Sequence, residues 1–147
     1  YGLDMNWGAS LGSNWSLDGV ISYVRGKRDD ISDDLYRIAP LNGSATLSYS
    51  APKWWVGLEG IAYARQDKVS ETNEESESSG YGLMNLRGGY DFTRDLSLTA
   101  GVENMFDREY QNHLSGINRV ANSDVPVGER VPGAGRSYFA SLQYRFN

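Results

Sequence analysis

The chain holds one histidine, His113, and it falls in a polar stretch with Asp107, Glu109, Asp124 and Glu129. Imidazole and carboxylate groups bind transition metals, but a site needs several ligands that converge. With one His and no Cys, a complete soft-metal site within this chain is not expected. Met5, Met84 and Met105 could add thioethers, yet Met5 and Met84 fall on the apolar side of strand-like segments. Packing within a loop accounts for His113 more simply, so His113, Asp107, Glu109 and Asp124 stand only as weak metal candidates. Serines are many, but the lone His has no evident orienting partner, and no nucleophile–base pair is legible. An enzyme is therefore not expected, and neither is a resident cofactor. Gly133-x-Gly135 precedes a strand pattern and lacks the lysine of a phosphate loop. The acidic run Glu71, Glu74, Glu75, Glu77 reads as a solvated loop kept extended by repulsion, with a cation-attracting rim as the sharper alternative.

The segments that position these residues alternate with a period of two. Tyr1, Leu3, Met5, Trp7, Ala9 and Leu11 alternate with Gly2, Asp4, Asn6, Gly8 and Ser10, the pattern of a half-buried strand. Similar strands are expected at about 15–25, 37–50, 54–66, 81–92, 96–106 and 136–146. In the last, Tyr138, Ala140, Leu142, Tyr144 and Phe146 share one face and Ser137, Ser141, Gln143 and Arg145 the other. Turns near 12–14, 51–53 and 93–95 are short, and the connections at 27–34, 67–80 and 107–135 are long. Short turns on one rim and long loops on the other are the plan of an outer-membrane β-barrel.

Composition agrees. The chain has 147 residues, 39% of them hydrophobic, with 17 Gly, 10 Tyr and 4 Trp. Mean hydropathy is −0.53, and no apolar run reaches the length of a helical span. A barrel tolerates this because half of each strand faces a polar lumen. The net charge of −5 argues against nucleic acid as a partner. Asp18, Glu59, Arg65, Arg87, Glu103 and Arg145 are expected on the lumen side, since Arg or Lys against lipid costs about 2–4 kcal/mol at mid-depth.

The aromatic residues sort by height. Trp7, Trp15, Tyr49, Trp54, Trp55, Tyr90, Phe92, Tyr144 and Phe146 lie toward the short-turn rim. Tyr1, Tyr23, Tyr36, Tyr63, Tyr81, Phe106, Tyr110 and Tyr138 lie toward the long-loop rim, while Phe139 points inward. Two girdles are expected where amphipathic rings settle at membrane interfaces; a soluble β-sandwich has no reason to sort its rings this way. An odd count of strands leaves two open edges, so further strands are expected before Tyr1. A start already in strand pattern, without Met, fits either a removed leader or a piece of a longer chain.

Several segments carry a resemblance. Gly101-Val102-Glu103-Asn104-Met105-Phe106-Asp107-Arg108-Glu109-Tyr110 resembles a signature near the end of TonB-dependent outer-membrane receptors. In order, Tyr36–Gly43, Gly80–Leu86 and Gly133-Ala134-Gly135-Arg136-Ser137-Tyr138 are similar to other pieces of that family. The matching motif residues are Asn104, Phe106, Asp107, Tyr110, Gly135 and Arg136, and Tyr138, Leu142, Tyr144 and Phe146 mark the closing strand. His113–Val120 and Asn122–Arg130 resemble the copper-receptor branch. Asn147 departs from the family's usual aromatic terminus.

The resemblance implies an all-β fold, an antiparallel transmembrane barrel of the 22-stranded type. Residues 1–147 would supply its C-terminal part, with periplasmic turns, extracellular loops and no plug domain. It implies energy-coupled import of a metal, a metal chelate or a similar nutrient across the bacterial outer membrane. The implied partners are the bilayer, the plug and remaining strands of the same receptor, TonB through an absent N-terminal region, and the metal or chelate ligand. Two other readings stand beside it: a small self-contained barrel with a structural or adhesion role, which needs an eighth strand, and an outer-membrane enzyme dependent on His113.

Overall fold

The computed structural model of the chain describes residues 1–146; Asn147, and with it the departure at the terminus, lies outside the described residues. The alternating segments form strands β1 (Gly2–Ser10), β2 (Trp15–Val24), β3 (Asn42–Ser50), β4 (Trp54–Tyr63), β5 (Tyr81–Asp91), β6 (Leu96–Glu103) and β7 (Ser137–Tyr144). They make one seven-stranded sheet in the order β1-β2-β3-β4-β5-β6-β7, every neighbour antiparallel. Antiparallel sequential neighbours need no crossover, whether a tight turn or a long loop joins them, so order in the sheet follows order in the chain.

Register fixes what each face carries, because partners across a ladder point the same way. Leu17, Leu47, Leu58, Leu86 and Val102 pair in succession across five strands. Asp18, Thr46, Glu59, Asn85 and Arg87 fall on the opposite face. Neither face is covered. Tyr81 is the one buried hydrophobic residue among those described, and all of β7 is exposed. A soluble sandwich would bury one face against a second sheet; the described residues contain none. Nor does β1 pair with β7, so the sheet does not close on itself as a small barrel would.

Three boundaries depart from the sequence expectation. The third strand begins at Asn42 rather than 37, because Arg37 sits at φ 59° and Pro40 has no N–H for a ladder. The fourth ends at Tyr63 rather than 66; Gln66 turns in to bond the Ile38 carbonyl at 2.8 Å. The sixth ends at Glu103 rather than 106, because Asn104 takes φ 47° and swings the chain out of the sheet.

The girdles also need a correction. On the apolar face, Trp15, Tyr49 and Trp54 form a run of ring contacts at the short-turn rim, with Tyr90–Phe92 and Tyr144–Phe146 beside it. At the other rim Tyr1 meets Tyr23. Trp55 and Tyr81, however, lie on the polar face. Trp55 covers Gly89, where a Cβ would fall 2.4 Å from its indole nitrogen. Tyr81 stacks on Tyr63 at 4.8 Å and meets Tyr110 at 4.6 Å. The Trp55 and Tyr81 rings both lie at the rims where the sequence places them, and strand parity turns them to the polar face.

Candidate functional site

The three long connections (25–41, 64–80 and 104–136) meet at one end of the sheet and tie to one another through buried polar groups. Glu75 is the hub. Its Oε1 accepts the Arg37 N–H at 2.9 Å and the His113 Nε2–H at 3.2 Å, and its Oε2 accepts the Ser70 N–H at 3.0 Å. One carboxylate therefore holds all three loops. Because that carboxylate can only accept, Nε2 of His113 carries the proton, and Nδ1 accepts the Ser78 hydroxyl at 3.0 Å. Burial pushes the His113 imidazole below its ordinary range; Arg130 and Arg37 push the same way, and Glu75 opposes them.

A second tie centres on Asp33, which is also buried. Its carboxylate accepts the Ser70 hydroxyl at 2.8 Å and the N–H groups of Glu71 at 2.9 Å and Thr72 at 3.2 Å. Hydrogen bonds from Thr72 first, and from Ser70 and these N–H groups, hold it well below the usual carboxylate range against the pull of burial. Arg130 joins the third loop to the second: it donates to the His113 carbonyl, and to the Ser76 carbonyl at 3.0 Å and hydroxyl at 3.1 Å.

The Asn104–Tyr110 segment anchors both ends of the longest loop. The buried Asn104 amide donates to the carbonyls of Arg108 at 2.9 Å and Ala134 at 3.2 Å, and its Oδ1 accepts the Arg108 N–H at 2.9 Å. Its own N–H reaches Asn85 Oδ1 on β5 at 2.8 Å. Asp107, at φ 53°, accepts the Arg136 N–H at 2.7 Å. Asn and Asp are the residues that best tolerate this left-handed backbone. Gly133 lies under Tyr110, where a Cβ would come within 2.1 Å of the ring. Phe106 stays 72% exposed.

On the inner wall, Arg87 bonds Glu103 at 3.0 Å and lies 3.7 Å from Glu59, which accepts Asn85 Nδ2 at 2.7 Å. Arg87 thus sits between two carboxylates on the polar face.

The metal candidates are not brought together. His113 faces Glu75 and Ser78, Asp107 serves Arg136, and Glu109 and Asp124 are exposed elsewhere in the loop. Among the described residues no group of three or more His, Cys, Asp or Glu could hold a metal ion. The sequence reading missed Glu75, Asp33 and Arg130. The acidic run is not uniformly solvated, since the Glu75 side chain is 5% exposed. The turn at 71–74 brings Glu75, alone among the glutamates of the run, back onto Ser70, and nothing in the sequence distinguishes it from its neighbours.

Residues 1–105 match the family model described as TonB dependent receptor-like, beta-barrel. The chain belongs to that family. A curated relative, the vitamin B12 transporter BtuB of Vibrio vulnificus (strain YJ016), is 35% identical over 120 residues, 80% of this chain and 17% of BtuB. Among solved structures, the copper transporter OprC superposes with a TM-score of 0.91 at 28% identity, over 97% of this chain and 23% of OprC. The ferric enterobactin receptor PfeA from Pseudomonas aeruginosa superposes at 0.74 with 21% identity, over 97% of this chain and 22% of PfeA, which bears on fold alone. The chain spans about a fifth of these relatives. Members of the family are outer-membrane β-barrels, and this seven-stranded sheet matches part of such a barrel.

Proposed function

We propose that this chain forms part of the wall and of the extracellular loop cap of an outer-membrane receptor for energy-coupled uptake of a metal or metal chelate, with copper as the first candidate. It would be the C-terminal part of the barrel. A plug domain from elsewhere in the same receptor would fill the lumen against Glu59, Arg87 and Glu103, and TonB would couple through that absent region. The observation that carries the reading is the sheet's lack of a core of its own: an apolar face for lipid, a charged face for a lumen and three long loops locked together on one rim. The copper preference rests on the closer superposition with OprC than with PfeA.

The test is uptake by cells carrying the intact receptor gene as their only copy, with and without TonB. Copper, cobalamin and a ferric siderophore are supplied in turn. Receptor- and TonB-dependent copper accumulation is expected, reduced when 107–135 is deleted from an assembled barrel. Cobalamin or siderophore uptake without copper uptake would reassign the cargo. No TonB-dependent uptake of any of the three would sink the transport reading.

A further inference from the structure

Where the three loops meet they enclose a cavity of about 280 Å³ lined by Tyr36, Arg37, Glu75, His113, Arg119 and Arg130, among others. Three guanidinium groups on one small cavity are unusual in a chain of net charge −5. None of the three forms an ion pair within 4.0 Å among the described residues. Glu74 and Glu75 also line the cavity, so three guanidinium groups face two carboxylates and a net positive charge remains; the Glu75 oxygens already accept the Arg37 and Ser70 N–H groups and His113.

The arginines are placed rather than merely present. Arg130 is 8% exposed, and only carbonyl and hydroxyl oxygens solvate its charge. A buried cation without a counter-ion is costly. Arg37 is held at φ 59° by its N–H bond to Glu75, with its guanidinium on the Leu114 carbonyl. Strained backbone of this kind persists where its surroundings over-determine it. Arg119 follows a short antiparallel contact: Ile117 pairs Arg130, Asn118 N–H donates to the Glu129 carbonyl at 2.8 Å, and Val131 N–H to that of Gly116 at 2.9 Å. The chain then turns at Asn118, whose Oδ1 accepts the Val120 N–H at 3.0 Å, and Arg119 lines the same cavity as Arg130. Arg119 is exposed and its side chain makes no hydrogen bond or ion pair among the described residues, which leaves a full guanidinium fork free.

We propose that this cavity binds an anion, a carboxylate or phosphate group, through Arg37, Arg119 and Arg130. Arg119 is the free fork that closes on it, and Tyr36 supplies a hydroxyl at the rim. Guanidinium forks match the paired oxygens of both groups. The source is either a soluble ligand bearing such a group or the phosphates of lipid A beside the barrel. The inference rests on the loops being extracellular, and direct binding keeps its failure separate from failure of the transport reading.

The experiment measures citrate and inorganic phosphate binding to the purified intact receptor by calorimetry, in detergent free of lipopolysaccharide. A second arm measures lipopolysaccharide binding in nanodiscs. Arg119→Gln is expected to weaken binding at least about tenfold, as loss of one charge-assisted pair does. Arg119→Lys should keep part of the affinity, and raised salt should weaken binding in every form. Citrate or phosphate binding that depends on Arg119 supports a soluble ligand. Binding of lipopolysaccharide alone, with the same dependence, supports the site with a lipid source. Binding of neither, or binding unchanged in Arg119→Gln, overturns the proposal.

Discussion

Replacing Asn104 by Ala should release the longest loop while leaving the barrel assembled. The side chain makes three hydrogen bonds, to the Arg108 and Ala134 carbonyls and from the Arg108 N–H, and the residue is only 4% exposed. At about 1 kcal/mol net each, these sum to roughly 3 kcal/mol. Holding alanine in the left-handed region that Asn104 occupies at φ 47° adds about 1 kcal/mol. A loss of about 3–4 kcal/mol in local stability corresponds to roughly 10²–10³-fold faster exchange of amides that open with the loop. Two amides report directly: Arg108, bonded to the lost side chain, and Arg136, bonded to Asp107. Hydrogen–deuterium exchange on the intact receptor reads both. Asn104→Gly separates the terms, because glycine has no left-handed penalty and should recover about 1 kcal/mol. Exchange at Arg108 and Arg136 within about threefold of wild type in Asn104→Ala would refute the claim that this segment staples the loop ends.

Two further outcomes are expected. Leu47→Arg places a charge on the lipid face between Leu17 and Leu58 and should cost about 2–4 kcal/mol in denaturant titration in bilayers; Thr46→Arg faces the lumen between Asp18 and Glu59 and should be near neutral, so equal costs would reverse the face assignment. The depressed His113 titration means that the opened loops bind a proton more readily than the closed cap; cap protection should be complete above about pH 6.5, decline as pH falls below it, and lose that dependence in His113→Gln, as exchange of the Ser78 and Arg37 amides would register.

The wall was legible because a strand's period of two leaves its mark in every residue. The run from Tyr1 to Leu11 reads as a strand in isolation, and β1 occupies Gly2–Ser10. What periodicity cannot report is where a strand yields to its loop. Arg37, Asn104 and Asp107 stop or turn the chain by adopting positive φ, and that depends on partners far away in sequence. The Asn104–Tyr110 motif was visible as a family resemblance; its role became physical only when Ala134 and Arg136 were found beside it. The cap was the least legible part. Glu75 and Asp33 look like any loop carboxylates, and their burial follows from three loops converging, which no local pattern encodes. The lone histidine, for which loop packing was the simpler reading, links Glu75 and Ser78.

Wall and cap are held by different forces. In the wall the apolar face has no protein partner among the described residues; in an outer-membrane barrel such a face is stabilised by transfer into lipid, and rings placed as Tyr49, Trp54 and Tyr90 are would fix its height. In the cap almost nothing apolar is buried, and the net gain of each hydrogen bond is only about 0.5–1.5 kcal/mol. Such a network gains little per contact but loses much per defect. Removing one partner of Glu75, Asp33 or Arg130 leaves a charge stranded away from water. The three loops are therefore coupled: any perturbation that frees Glu75 frees the Arg37, Ser70 and His113 attachments at once. A ligand drawing Arg37 or Arg130 toward itself acts on that same junction, so occupancy of the cavity and the closed state of the cap are linked, while the strands below, anchored by lipid, stay in register.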